Sequence, residues 1–223
     1  MSQHFIKMIQ AGATAEIADA VKDSPSLAQS RDPQGVSALL WSIYTGQQTT
    51  REFLLAQLAA QQAPLNVFEA AALGDAFSLN ALLAADPEAA AACSGDGWTA
   101  LHLAAAFGTP ETVRLLIDHG ARVDAVSANA QRNQPLHAAL ALGRNMETVR
   151  LLLARGADPN ATQAGGFTAL FSAATANRKD LAEVLIAHGA HPRHRSDLDK
   201  TAADFARERG HKDLADFLDA QPA

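Results

Sequence analysis

Residues 97–121 read GWTALHLAAAFGTPETVRLLIDHGA, and this stretch predicts two short helices joined by a turn. Thr99 stands just before the first apolar run, where its hydroxyl can cap the start of a helix. Leucine and alanine residues then follow at intervals of three and four, so that they share one helical face. We expect Gly108 to end this helix in a left-handed conformation, and Pro110 to open the second helix.

Similar lines recur further along the chain, at residues 135–157 and 168–190. A pair of helices this short cannot bury its apolar face alone, whereas stacked copies can, because each copy covers the next. An apolar residue, with glycine or asparagine seven residues later, marks the first helix of each such unit. Neighbouring markers lie 28 to 35 residues apart, and the markers are Phe5, Leu39, Val67, Leu101, Leu136, Leu170 and Ala203.

The repeated unit resembles the ankyrin repeat, which has a T-P-L-H-x-A-A signature, a glycine after its first helix and a G-A pair after its second. Residues 99–105 depart from this signature only at Ala100, which stands in place of proline. The next copy has Gln134 in place of threonine, and the one after it has Phe171 in place of histidine. The resemblance implies an all-α solenoid of about seven helix-turn-helix repeats, with short finger hairpins or loops between them.

The repeats are expected to form a single ankyrin-repeat domain over residues 1–223, with a shortened second unit. The last unit carries charged residues where inner units are apolar, which is typical of a capping repeat. Pro25 and Pro87 each stand 14 residues before a marker residue and predict an extended connection there. The expected units cover residues 1–31, 32–62, 63–93, 94–127, 128–161, 162–194 and 195–223.

The composition narrows the classes of function. The chain has 223 residues and a formal net charge of −6, which argues against a general nucleic-acid binder. Cys93 is its single cysteine, so disulfides cannot hold the fold together and a reducing compartment is expected. The first twelve residues lack the apolar run of a signal peptide, and no stretch is long enough to span a membrane. We therefore expect a cytoplasmic protein that binds neither nucleic acid nor membrane.

No catalytic or cofactor motif is present: the chain lacks a phosphate loop, a dinucleotide fingerprint, an H-E-x-x-H sequence, paired C-x-x-C and a nucleophile elbow. His102 and His137 occupy the signature histidine position, for which the resemblance implies hydrogen bonds to backbone between repeats. No nucleophile or carboxylate at a fixed spacing partners them, so the expectation is a protein with no enzyme activity and no cofactor.

A run of three histidines, His188, His191 and His194, has the spacing H-x-x-H-x-x-H and could bind a metal in principle. The run crosses a predicted helix end at Gly189 and a proline at Pro192, so the three rings need not converge. We do not assign a metal to it.

The resemblance implies that partner contacts come from the finger tips and from the ends of the first helices, on the concave side. Large apolar side chains at such surface positions are the usual anchors of binding hot spots. The alternative is that they pack on one another and on adjacent fingers. A contiguous apolar patch with polar tips is expected, with Trp98, Phe107, Leu142 and Phe167 as its centre, Tyr44 and Leu73 as its extension, and Asn133 and Lys200 as its tips.

The leading interpretation is a non-catalytic protein–protein interaction module that holds a partner protein on its concave face, as a monomer or with weak self-association. The alternative is a small-molecule or metal-responsive sensor. It would use the groove near the short second unit, or the His188–His194 run.

Overall fold

The computed structural model describes residues 1–143 and 145–222, so residues 144 and 223 of the expected domain lie outside the description. The described chain folds into fourteen α-helices that follow one another as seven pairs. The predicted all-α repeat fold is therefore confirmed. The pairs are α1 (Ser2–Ala11) with α2 (Thr14–Asp23), α3 (Ala38–Tyr44) with α4 (Gln48–Ala60), α5 (Val67–Leu73) with α6 (Ala76–Ala85), α7 (Ala100–Phe107) with α8 (Pro110–Asp118), α9 (Pro135–Ala138) with α10 (Met146–Ala154), α11 (Ala169–Thr175) with α12 (Lys179–Ala187), and α13 (Ala202–Glu208) with α14 (Lys212–Asp219).

The first helix of each pair packs against the first helix of the next pair. Their facing surfaces carry small residues, such as Ala70 and Ala71 on α5 and Ala104 and Ala105 on α7, which are all buried. Because these side chains end at Cβ, neighbouring backbones can approach closely. None of the helices in the described ranges is both long and apolar enough to cross a membrane.

Gly108 shows how close this approach is. Its φ is −83°, so the expectation of a left-handed residue at this position is wrong. A Cβ on Gly108 would lie 2.3 Å from the carbonyl oxygen of Ala71, on the preceding first helix. Glycine is therefore required here by the neighbouring backbone and not by its own dihedral angles. At the corresponding position of the sixth unit, Asn177 does adopt a left-handed φ of 54°.

The third unit begins one residue away from the predicted register. Asn66 is the N-cap of α5, and its side chain accepts a hydrogen bond from the Glu69 backbone N–H at 3.0 Å. The Glu69 carboxylate in turn accepts from the Asn66 N–H at 2.9 Å, which completes a capping box. Val67 thus follows the cap directly, and Phe68 takes the place that Leu101 holds in α7.

The connections after α2 and α6 are not extended, so the prediction from Pro25 and Pro87 is wrong. Short 3₁₀ helices cover Pro25–Gln29 and Pro87–Ala91. Proline favours the first turn of a helix because its ring fixes φ near the helical value. In the second of these short helices, the Asp86 carboxylate also caps the first turn by accepting a hydrogen bond from the Glu88 N–H at 3.2 Å. Each short helix places one alanine, Ala28 or Ala90, in the core.

The fingers between the helix pairs stack on one another through backbone hydrogen bonds. In the described residues they form three isolated antiparallel bridges and no strand: Arg31 with Ser37, Cys93 with Thr99, and Gln163 with Phe167. Successive fingers are joined by Ala128 N–H to Gly97 O at 2.8 Å, Ala164 N–H to Gln131 O at 2.9 Å, and Asp197 N–H to Gly165 O at 3.0 Å.

The short second unit has a visible consequence at the fingers. A Cβ on Gly95 would overlap the carbonyl oxygen of Gln34, so the finger after the third unit lies directly against the finger after the first. The chain between α4 and α5 is too short to separate them. Arg31 then approaches Glu69, with 3.7 Å between Nη2 and Oε1.

The packing around Gly108 can be tested with asparagine, which tolerates a left-handed φ but adds a side chain. We expect Gly108→Asn to lower the free energy of unfolding by about 2 kcal/mol or more, because the new Cβ meets backbone. Gly46→Asn is the matched control, since Gly46 has a φ of 67° and open space around its Cβ position. We expect it to change stability by less than about 0.5 kcal/mol. Equal losses in urea unfolding of the two variants would contradict the close-approach explanation.

Candidate functional site

A groove of about 550 Å³ is lined by the first helices of the second, fourth and fifth units and by the fingers that follow the third, fourth and fifth units. Its walls combine three aromatic rings, one carboxylate, four carboxamides and a few small apolar side chains. Five of the eight residues predicted to bind a partner line it, namely Tyr44, Trp98, Phe107, Asn133 and Leu142.

The aromatic wall is a row of rings that pack on one another. The Tyr44 and Phe107 rings are stacked, with centroids 5.6 Å apart and an interplanar angle of 29°. Trp98 continues the stack beyond Phe107 at 6.4 Å and 25°, and Trp41 meets Tyr44 edge-on at 5.7 Å. These rings also pack on a buried apolar cluster drawn from α3, α5 and α7 and from the first finger, and they remain half-buried. The same side chains therefore pack internally and face the groove.

Asp96 supplies the carboxylate of the groove. It accepts a hydrogen bond from the Tyr44 hydroxyl at 2.8 Å and another from the Ser94 hydroxyl. Burial raises the pKa of Tyr44 far above its usual 10, and the negative charge of Asp96 adds to this shift. Tyr44 therefore stays protonated at physiological pH and acts as a hydrogen-bond donor. In the part of the chain that the structure describes, Asp96 has no ion-pair partner within 4.0 Å.

Four carboxamide side chains from two fingers also line the groove and are called its carboxamide wall: Asn129, Gln131, Asn133 and Gln163. Asn129 is fixed, because its Nδ2 donates to the Asp96 backbone oxygen at 3.1 Å and its Oδ1 accepts from Ser127 at 2.9 Å. Asn133 is 7% exposed, and its Oδ1 accepts no hydrogen bond from any described residue. This oxygen is shielded from solvent, so its missing hydrogen bond costs free energy and is not open to a ligand.

Leu142 gives the groove an exposed apolar edge. It is 53% exposed and lies in a π-helical turn, Ala139–Gly143, that continues α9. Single π turns within helices occur frequently at functional sites. A large aliphatic side chain held in solvent beside aromatic rings is a feature of contact surfaces.

Phe167 lies apart from this groove. It packs with Phe171 and Phe205 in a three-ring cluster whose centroids are 5.3 to 5.5 Å apart. A second, smaller hollow of about 190 Å³ is lined by these rings and shares Gln163 with the main groove. The central side chains therefore form two groups, in place of the single contiguous patch that the sequence predicted.

The two remaining predicted residues do not line the groove. Leu73 is half-buried and packs against the apolar clusters under the aromatic row. Lys200 pairs with Glu208 and places its Nζ 5.9 Å from the centroid of the Phe205 ring, next to the three-ring cluster.

His102 and His137 each join two successive units. His102 is fully buried and its Nε2 lies 3.0 Å from the carbonyl oxygen of Asn133 in the next finger, so Nε2 carries the proton. Nδ1 is then an acceptor, and it lies 2.8 Å from the Thr99 hydroxyl, which donates to it. His137 repeats the arrangement, with Nε2 3.0 Å from the Ala161 oxygen. Burial lowers the pKa of His102 to about 4 and also lowers that of His137.

The His188–His194 run does not form a cluster. His188 Nδ1 lies 2.8 Å from the Val184 oxygen, and His194 Nε2 lies 2.9 Å from the Gly166 oxygen. His191 is exposed. Over the described residues, no three His, Cys, Asp or Glu side chains are placed together to hold a metal ion. The geometry therefore gives no support to a metal site here.

The stacked helix pairs, the capped first helices and the histidines that link them define an all-helical repeat protein. A family model described as ankyrin repeats (3 copies) matches residues 67–163 and 143–221. The matches extend over more than half of the chain, which therefore belongs to the ankyrin-repeat family. Membership of this family indicates a protein–protein interaction module.

The chain is similar over short ranges to three curated proteins. It is 45% identical to the "Probable E3 ubiquitin-protein ligase XBOS31" of Oryza sativa subsp. japonica over 39% of this chain and 19% of that protein. It is 44% identical to the "B-cell lymphoma 3 protein homolog" of Mus musculus over 35% of this chain and 17% of that protein. It is 37% identical to the "BCL-6 corepressor-like protein 1" of Homo sapiens over 37% of this chain and 4% of that protein. The chain thus spans less than a fifth of the length of these relatives.

Some groove residues escaped the sequence analysis. Asp96, Asn129, Gln131 and Gln163 line the groove, yet they precede the finger-tip position that the repeat pattern singles out. One signal could have found two of the missed amides. Carboxamide residues alternate at positions 129, 131 and 133 within a single finger, so the predicted Asn133 has Asn129 and Gln131 at alternate positions before it.

The histidine links make stability depend on pH. Unfolded His102 takes up a proton near pH 6.5, whereas the folded side chain does so only near pH 4. Stability is therefore fully present above pH 6.5 and falls as pH drops towards 4, by about 3 kcal/mol for this group. We expect His102→Gln to be less stable at pH 7.5 but to lose less further stability between pH 6.5 and 4.5. Denaturant unfolding at several pH values measures how the free energy of unfolding of each protein changes with pH. Equal changes in the wild type and in His102→Gln would contradict the assignment of this pH dependence to His102.

Proposed function

We propose that this chain is a non-catalytic module that binds a partner protein on its concave face, in the groove between Tyr44 and Leu142. The observation that supports it most is the combination of a rigid aromatic row with an exposed leucine at its edge. Aromatic anchors in a preformed hollow are the usual centre of protein-binding hot spots. Because packed helices already hold the rings, little ordering entropy opposes binding.

The chemistry of the groove supports binding more than catalysis. Its described ionisable side chains are Tyr44 and Asp96, and these are hydrogen-bonded to each other at 2.8 Å. A tyrosine whose pKa is raised cannot serve as a base near neutral pH. His102, which lies beside Trp98, is buried with both ring nitrogens bonded. These contacts leave no side chain poised as an activated nucleophile.

The sensor alternative receives less support from the structure. Two hollows lie beside the short second unit. One is about 120 Å³ and is lined by Arg31 and Glu69, which face each other across 3.7 Å. The other is about 300 Å³, is lined by residues such as Val36 and Phe68, and just reaches the lower end of the usual range for ligand pockets. Pockets that bury small-molecule ligands usually enclose about 300 Å³ or more. The histidine run, as described above, does not converge.

The proposal is tested by capturing partners from cells that produce the protein, with a tagged second copy of the chain included as a candidate. We expect Leu142→Arg, which changes an exposed side chain, to weaken capture at least tenfold, or about 1.4 kcal/mol. Trp98→Ala should do the same while circular dichroism confirms that the helices remain. Phe77→Ala is the control, because Phe77 is 88% exposed on α6 and does not line the groove. Partners that survive both groove substitutions would contradict this proposal.

A further inference from the structure

We propose that the groove recognises an arginine side chain carried by an extended peptide segment of the partner. The stem of the arginine would pack along the aromatic row, its guanidinium would pair with Asp96, and the peptide backbone would bond to the carboxamide wall. This inference rests on the proposed function and names the chemistry of its partner.

The charge of the groove favours a cation. Asp96 is the one charged side chain among the described residues that line it, and it is half-buried. Its two recorded side-chain donors, Tyr44 and Ser94, are neutral hydroxyls, so its negative charge is not compensated within the described chain. A neutral or acidic ligand would desolvate this carboxylate without compensation, whereas a cation restores the balance.

The shape of the groove favours arginine over lysine. Phe107 is stacked between Tyr44 and Trp98, at 29° and 25° to them, so these rings cover one another's faces and the groove meets mainly their edges beside the carboxylate. A guanidinium has five N–H donors in one plane, so it can pair with the carboxylate and donate to carboxamide oxygens at the same time, while its apolar stem packs along the ring edges. An ammonium group is a compact point charge and uses only the electrostatic part of this site.

The carboxamide wall favours an extended backbone. Gln131 and Gln163 are accessible and each carries both a donor and an acceptor, which matches the one N–H and one C=O of each peptide residue. A helical ligand would already have used these backbone groups internally, whereas an extended segment offers them.

The test uses three pentapeptides of the form acetyl-Ala-Ala-X-Ala-Ala-amide, in which X is arginine, citrulline or glutamate. Citrulline has the shape of arginine without its charge. We expect the arginine peptide to bind at least tenfold more tightly than the other two in tryptophan-fluorescence and calorimetric titrations of the full chain. In Asp96→Asn the arginine and citrulline peptides should bind equally. Asp118→Asn, which changes an acid on α8 outside the groove, should keep the wild-type preference.

Equal affinities of wild type for arginine and citrulline, or no saturable binding of the arginine peptide, would overturn the inference. If Asp96→Asn does not fold, as judged by circular dichroism, the comparison of arginine with citrulline on the wild-type chain decides alone. Partner capture separates the two proposals. If Leu142→Arg abolishes capture but a folded Asp96→Asn captures normally, the arginine inference is wrong and the proposed function stands. If neither substitution affects capture, both are wrong.

Discussion

Every helix pair in this protein is sheltered from water by its neighbours, and the neighbours must come very close to do so. The first helices meet through alanine faces, and at Gly108 even a methyl group would collide with the Ala71 carbonyl. Isolated helices of four to thirteen residues, the lengths found here, are marginal or unstable in water. Their stability therefore depends on this tight lateral packing, and the positions of the fingers and of the groove follow from it.

The close spacing of the first helices also fixes the positions of the fingers, which line the candidate site. His102 and His137 each link a first helix to the finger beyond it, and backbone hydrogen bonds then join one finger to the next. Asn133 takes part directly, because its backbone carbonyl accepts from His102 while its side chain lines the groove. Asn133 therefore both links two repeats and lines the groove. The carboxamide wall is consequently held by the same contacts that hold the repeats together.

Much of this architecture could be predicted from the sequence, because the same pattern of helix caps and apolar residues recurs from one repeat to the next. Thr99, placed before an apolar run, does cap α7, and Asn177 does take a left-handed conformation. The failures share a physical reason. Gly108 is required by a neighbour 37 positions earlier in the chain, at Ala71, which no local pattern reveals. Proline is compatible both with the first turn of a helix and with an extended turn, so Pro25 and Pro87 alone do not distinguish the two. The packing of Ala28 and Ala90 in the core decides in favour of the short helices.

The candidate site was harder to predict than the fold. Trp98, Phe107 and Leu142 could be placed on the groove because each has a fixed position within its repeat. Phe167 has the same position as Trp98, yet it turns to Phe171 and Phe205, because the sixth unit has phenylalanine where the fourth has histidine. Asp96 was missed because a carboxylate in a turn is ordinarily solvated. Its contact with Tyr44, 52 residues away, exists only in the folded chain.

The short second unit divides the interior of the protein. One apolar cluster fills the first two units and another runs from the third unit to the last, and the cluster under the aromatic row joins them. In a linear array, stability is a sum of nearest-neighbour terms, so the weakest junction is where cooperativity breaks first. The N-terminal block can therefore melt ahead of the remainder. An occupant lying across the junction would fuse the two blocks into a single melting unit.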